Sequence, residues 1–239
     1  LDSFNHIKQK LRIMMKKLMV LIMSILVHNA APMFAGEILP WGKLPKEAGQ
    51  LIHVQTPSSK SIQGKLVYYE RKGPKWEVVG KMIPIVVGRN GITIPEIKKE
   101  GDGKTPSGLY RIGIAFGYQE TAKTNLKYSK VTKDDLWIDD EKSPDYNRMV
   151  KAPTLAKSFE FMRRDDDAYK LGAVIEYNTN PIVAGKGSAI FMHLWSGPTK
   201  PTAGCVAMSE ENITLLLSWL DKTKSPMIFI ETEGNQVPK

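Results

Sequence analysis

The chain has 239 residues, a formal net charge of +9 and a single cysteine, Cys205. One cysteine excludes a disulfide within the chain, and lysines scattered without a stripe or a nucleic-acid motif exclude DNA and RNA as expected partners. The basic balance suits solubility or an anionic polymer such as a cell wall.

The first stretch reads as a targeting segment. Five basic side chains between Lys8 and Lys17 precede an apolar run, Leu18 to Val27, interrupted only by Ser24. Small residues follow, with a cleavage point after Ala35 in Met33-Phe34-Ala35. That order is the layout of a secretory signal over residues 1–35. The apolar run, about ten residues, is well short of the roughly twenty that span a bilayer. His28, Asn29 and Pro32 also oppose a permanent anchor, so no stable membrane insertion is expected after cleavage. No cysteine follows the run that could carry a lipid. Met15-Lys16-Lys17-Leu18 reads as the true translation start. Cleavage removes five basic groups and one acid, so the charge falls from +9 to +5. An exported protein of the periplasm or cell wall is expected, with an N-terminal extension over 36–50 and one domain over 51–239.

Short strands dominate the rest. Gly64 to Glu70, the turn Arg71 to Lys75, and Trp76 to Val79 read as a hairpin. Lys81 to Gly88 is another apolar strand, which Pro84 places at an edge or bulge. The turn formers of Gly101 to Gly108 lead into a strand over Leu109 to Phe116. Gly117 to Pro153, rich in Lys, Asp, Asn and Tyr, reads as a long insertion or lid outside the core. A helix is expected around Thr154 to Arg163. Gly172 to Tyr177, Ser188 to Leu194 and Pro226 to Glu231 are β-prone. The clearest helix starts at Ser209, a good N-cap, with Glu210 and Glu211 at its positive end and Ile213, Leu216, Leu217 and Leu220 on one face. The fold class is mainly β with a few helices (α+β), in one domain.

Several motifs fail on their spacing. Gly103-Lys104-Thr105 resembles the end of a phosphate loop, but its required first glycine is Lys98. Asp165-Asp166-Asp167 suggests calcium, yet the turn glycine is replaced by Lys170, and the run reads as a solvated acidic face. Beyond the leader, His53, His193 and Cys205 are the only nitrogen and sulfur donors of the zinc-binding kind, so no metal is expected.

A Cys/His pair remains. A thiol becomes a nucleophile near neutral pH when an imidazole takes its proton. His193 falls near the end of an inward-facing strand, and Cys205 sits in a Gly-Cys turn just before the capped helix. Ser196 to Pro201 is long enough to return the thiol to the imidazole. Gly204, without a Cβ, leaves its own amide and that of Cys205 able to face an oxyanion. The competing reading makes Cys205, flanked by Val206 and Met208, a small core residue and His193 a satisfied strand histidine, and residue types alone leave both open.

The run Gly187 to Asp221 resembles the signature of the L,D-transpeptidase catalytic domain (YkuD/ErfK type), in which a histidine precedes Ser/Thr-x-Gly-Cys. Gly101 to Tyr110 is similar to that family's Asp-Gly-x-Thr-Pro-x-Gly-x-Tyr segment. Asp140 to Tyr146 and Glu176-Tyr177-Asn178 are similar to one bacterial branch of it. The resemblance implies Cys205 as nucleophile, His193 as general base, Thr202 at the Ser/Thr position, and Gly204 with Cys205 as the oxyanion hole. It implies acyl transfer from the third residue, a diamino acid, of a peptidoglycan tetrapeptide stem, with loss of the terminal D-Ala and no cofactor. An amine acceptor makes a cross-link, and water makes an L,D-carboxypeptidase. A non-catalytic wall-binding domain is the other alternative. Two positions depart from the family pattern, Ala203 where a histidine often precedes Gly-Cys and Ala207 where Arg or Asn often follows. A sortase-like reading needs an arginine after the cysteine, and none occurs after Cys205. Papain-like and NlpC-type peptidases place Cys before His, the reverse of this chain. Arg111 and Arg148 are expected to hold the stem's terminal carboxylate.

Overall fold

The computed structural model describes residues 44–233. The expected signal segment and start site, and all but the end of the expected N-terminal extension, lie outside the described residues.

The chain opens with β1 (Gln50–Thr56), β2 (Gln63–Lys72), β3 (Lys75–Val78) and β4 (Ile83–Val86), followed by the short pair β5 (Ile92–Thr93) and β6 (Thr105–Pro106). Next come β7 (Gly108–Gly117), β8 (Tyr128–Lys130), β9 (Asp135–Ile138), β10 (Met149–Lys151) and β11 (Phe159–Phe161). β12 (Leu171–Ile175), β13 (Phe191–Leu194), β14 (Val206–Met208), helix α1 (Glu210–Trp219) and β15 (Met227–Thr232) complete it. The main sheet runs β1-β15-β7-β12-β13-β14-β4-β2-β3, and β1 also pairs with β2. That extra pairing closes eight strands into a ring, leaving β3 and β8 as appendages. The ring mixes directions, because β1–β15 and β13–β14 are parallel while its other pairs are antiparallel. Among the described residues the class is mostly β with one α-helix, which fits the expected mainly β, α+β class.

Inside the ring lies the principal core, built from Ile52, Leu66, Ile85, Ile175, Met192, Met208 and Ile228 among others. Helix α1 packs across β12 and β13. Its first turn is held by Ser209, whose hydroxyl accepts from the Asn212 amide, and it buries Ile213, Leu216 and Leu217. Each such side chain stabilises by about 1.5–3 kcal/mol on leaving water. The Pro84 expectation holds only in part. β4 is internal to the ring, but it meets β14 at the single pair Ala207–Val86, so no ladder on that side needs an amide at residue 84.

Two expectations fail. Residues 154–163 form no helix, because Phe159–Phe161 instead pairs as β11 with β9. Neither is 117–153 outside the core. β10, β9 and β11 make a second sheet, with Leu136, Trp137 and Ile138 buried. Trp137 packs edge-on to Phe191 at 4.9 Å between ring centroids, in a second apolar cluster with Phe116, Met162, Tyr169 and Cys205. This cluster covers the outer face of the ring at β7, β12 and β13. The expected strand over Ser188 to Leu194 starts later, at Phe191, because Ala189 takes a left-handed conformation (φ +52°).

Candidate active site

Alternation along the strands decides which side chains meet. On β13, Met192 and Leu194 enter the principal core, while Phe191 and His193 turn to the opposite face. His193 therefore points out of the ring, beneath the second sheet, and not into the main core. β14 runs parallel beside it, with Met192 opposite Val206 and His193 opposite Ala207. Val206 and Met208 enter the core in the same rhythm, so Cys205 falls on the face that carries His193. Both line one cavity of about 340 Å³.

Backbone geometry fixes the turn ahead of β14. Gly204 has φ +152°, and a Cβ there would lie 3.1 Å from the Lys104 carbonyl oxygen and 3.3 Å from Ile190 Cδ1. Only glycine meets both conditions without strain. Thr202 Oγ1 donates to the Cys205 carbonyl at 2.8 Å and accepts from the Gly204 amide at 3.1 Å. Its hydroxyl thus holds the turn, and the Gly204 amide assigned to an oxyanion is occupied by it. Thr105 Oγ1 donates to the same Cys205 carbonyl at 3.3 Å and accepts from the Gly88 amide at 2.9 Å.

The thiol is buried. Cys205 Sγ donates to the Ala189 carbonyl at 3.2 Å and accepts from the Phe191 amide at 3.4 Å. Burial pushes the thiol up to about 12, and the neighbouring Glu160 charge adds to that rise. His193 Nδ1 lies 2.7 Å from the Leu194 carbonyl oxygen. A carbonyl can only accept, so the neutral ring keeps its proton on Nδ1 and Nε2 is its basic atom. Burial lowers the imidazole to about 4, against the pull of the Leu194 carbonyl. At neutral pH the pair is thiol and imidazole, both uncharged.

Around the pair stands a polar frame. Tyr169 meets His193 edge-on at 5.2 Å between centroids, and its hydroxyl donates to Glu160 Oε2. The Arg164 guanidinium lies 5.2 Å over the Tyr169 ring and grips both oxygens of Asp166, at 2.9 and 2.7 Å. That grip holds the Asp166 carboxyl down at about 2. The acidic run Asp165 to Asp167 thus supplies an arginine anchor at the cavity wall.

Asn147, which the sequence reading passed over, ties the second sheet to the thiol. Its Oδ1 accepts from Trp137 Nε1 at 2.9 Å and from the Ala189 amide at 3.1 Å. Its Nδ2 donates to the Tyr177 and Asn178 carbonyls at 3.1 and 2.7 Å. All four hydrogen-bonding positions of a buried amide are used. They hold Ala189, the thiol's acceptor, in a conformation that costs an L-residue about 1–2 kcal/mol.

Arg111 and Arg148 lie elsewhere. Arg111, on β7 two strands away from β13, is 55% exposed and pairs with Glu47 at 3.2 Å. Arg148 donates to the Pro144 carbonyl at 3.1 Å. Neither lines the cavity, whose cations are Arg89, Lys98, Arg164 and Lys200.

The family model of the L,D-transpeptidase catalytic domain (YkuD) matches residues 50–230. The chain belongs to this family. The match begins at the first residue of β1 and ends within β15, so the YkuD domain is the closed ring together with its helix, its second sheet and the cavity. No curated protein matches the chain. Among solved structures it is similar to the helical cell shape determining protein Pgp2 from Campylobacter jejuni, at 18% identity and a TM-score of 0.41. That alignment covers 78% of this YkuD chain and 49% of Pgp2, so the chain spans about half the length of the protein it matches.

Proposed function

We propose that this protein is a cysteine L,D-transpeptidase, exported to the periplasm or cell wall, that acts on peptidoglycan stem peptides. The observation that carries the reading is the placement of His193 on β13 and of Cys205 in the turn just ahead of the parallel β14, both lining one cavity inside a YkuD domain.

In the proposed reaction the Cys205 proton passes to His193 Nε2 as sulfur adds to the carbonyl carbon of the stem's diamino acid. The Phe191 amide, already directed at sulfur, favours the thiolate as it forms. The Cys205 amide, in the turn that Gly204 permits, is the proposed donor to the oxyanion. The C–N bond to D-Ala then breaks, and the imidazolium protonates the departing amine. An amine of a second stem attacks the thioester carbonyl and loses its proton to His193, and the C–S bond breaks as that proton returns to sulfur, releasing a cross-linked product and the neutral thiol.

Mass spectrometry of products from a purified tetrapeptide muropeptide tests this. A dimer is expected from the wild type, and none from Cys205→Ala. A tripeptide would make water the acceptor, and unchanged substrate would overturn the catalytic reading in favour of a wall-binding domain.

A further inference from the structure

Strand β11 separates two spaces. Glu160 lines the cavity of Cys205 and accepts from Tyr169, and the alternation of a strand turns Phe159 and Phe161 to the opposite face. β11 lies at the end of the second sheet, paired with β9 alone. Beyond it is an open groove of about 530 Å³, large enough for a small organic ligand. Phe159 and Phe161 form its apolar wall, their rings edge-on at 5.4 Å between centroids. Phe161 is 53% exposed. Two adjacent rings, one half open to water, offer a platform for the apolar face of a ligand.

Charge narrows the choice of ligand. The polar wall of the groove balances Lys133, Arg163 and Arg164 against Glu160, Asp165 and Asp166. Arg164 and Asp166 pair with each other at 2.7 Å, and the Arg163 guanidinium lies 4.7 Å over the Tyr118 ring. Aromatic rings bordered by donors and acceptors, with no net charge, suit a neutral ligand rich in hydroxyls, such as a pyranose. They do not complement an anionic polymer, nor a stem peptide, whose carboxylates outnumber its amines.

Position narrows it further. Glu160, Arg164 and Asp166 line both the groove and the cavity that holds Cys205 and His193, so the two spaces adjoin across these side chains. In peptidoglycan two residues separate the third residue of the stem from the amino sugar, at most about 7 Å of extended chain. A stem whose third residue reacts at Cys205 carries its sugar on a short tether next to this groove.

We infer that the Phe159–Phe161 groove is a subsite for the amino sugar of the glycan strand, so that the enzyme prefers a stem still attached to its sugar over the free peptide. The inference rests on the transpeptidase reading and adds a second recognition site to it.

Calorimetry on the Cys205→Ala protein tests it without turnover. Two ligands are compared, N-acetylglucosaminyl-N-acetylmuramyl tetrapeptide and the same tetrapeptide with a lactoyl cap in place of the sugars. The cap keeps the peptide charge equal in both. The sugar-bearing ligand is expected to bind at least about tenfold tighter, the scale of one well-made aromatic contact. Adding Phe161→Ala is expected to bring the two within about twofold and to leave the affinity for the capped peptide unchanged. Phe161→Leu, apolar but without a ring face, is expected to do the same and serves if the alanine variant misfolds. Equal affinities overturn the inference, as do a ratio untouched by both substitutions and failure of both ligands to bind. A dimer in sedimentation that Phe161→Ala dissolves would give the face to a second copy and overturn it. So would a Phe161→Ala defect confined to attack on the thioester, which would give the groove to the acceptor stem. Wild-type turnover of the capped tetrapeptide is read separately, so a working transpeptidase indifferent to the sugar leaves the functional reading standing and removes this one.

Discussion

Burial of His193 makes the fold sensitive to acid in a way that can be isolated. The ring titrates near 6.5 when free and is lowered to about 4 by burial. Between those values the unfolded chain binds a proton that the folded chain refuses, so falling pH favours unfolding. The contribution is fully present above pH 6.5, declines as pH drops toward 4, and is lost below. At 1.36 kcal/mol per unit the whole effect is about 3 kcal/mol. Only 8% of the residue's surface is exposed, so solvent screening removes little of it. His193→Gln removes the titration while keeping an N–H donor for the Leu194 carbonyl. Urea unfolding of both proteins, followed by tryptophan fluorescence from pH 8 to 4, gives a difference curve in which the carboxylates cancel. Relative to the variant, the wild type is expected to lose about 3 kcal/mol below pH 6.5 and to run parallel above it. A flat difference across the range would refute a buried, neutral His193.

The other predictions follow from single contacts. Asn147→Ala leaves the Trp137 indole and three backbone groups without partners, and about 3–5 kcal/mol of stability should go, read as a shift of the urea midpoint. Thr202→Val breaks both bonds that hold the Gly204-Cys205 turn. It is expected to slow acylation more than tenfold, with Thr202→Ser restoring the rate. With its thiol pushed up to about 12 from an ordinary 9, Cys205 should react with iodoacetamide at pH 8 about a thousandfold more slowly than a free cysteine, by intact mass. Alkylation at the free rate would mean the thiol is exposed or ionised. Gly204→Ala puts a Cβ against the Lys104 carbonyl at a strained φ, and soluble expression with loss of thioester formation is expected.

What the sequence made legible was local or chemically distinctive. Ser209, the two glutamates and the Ile213/Leu216/Leu217 spacing needed only neighbours within four residues, and α1 formed where they predicted. Cys205 and His193 stood out because their residue types are scarce and the Gly-Cys turn has one geometric solution. The failures are long-range. Phe159-Glu160-Phe161 had no local reason to be a strand until β9 paired with it, and that pairing overrode helix propensity at 154–163. Trp137 sat in a polar stretch, and its burial depended on Phe191, more than fifty positions away. Asn147 carried no motif at all, since its role arises from four groups scattered between residues 137 and 189. Arg111 and Arg148 were chosen for charge, but the cavity drew its cations from loops that no pattern links to the cysteine.

The electrostatics of the pair set a limit on how the proposed reaction can run. Moving the proton from a thiol at about 12 to an imidazole at about 4 spans eight units, or about 11 kcal/mol. Attraction between the resulting charges, about 4 kcal/mol for unit charges 4 Å apart at an effective dielectric of 20, would offset part of this. Roughly 7 kcal/mol remains, so a thiolate–imidazolium pair is no resting state of this site. A turnover near 1 per second corresponds to a barrier of about 17 kcal/mol, which leaves room for that charge separation on the way to the transition state. The proton transfer is therefore best made in concert with attack on a bound carbonyl, where the negative charge passes from sulfur to an oxygen facing an amide. In the proposed reaction, the burial that protects Cys205 from adventitious chemistry also makes its activation depend on a bound carbonyl.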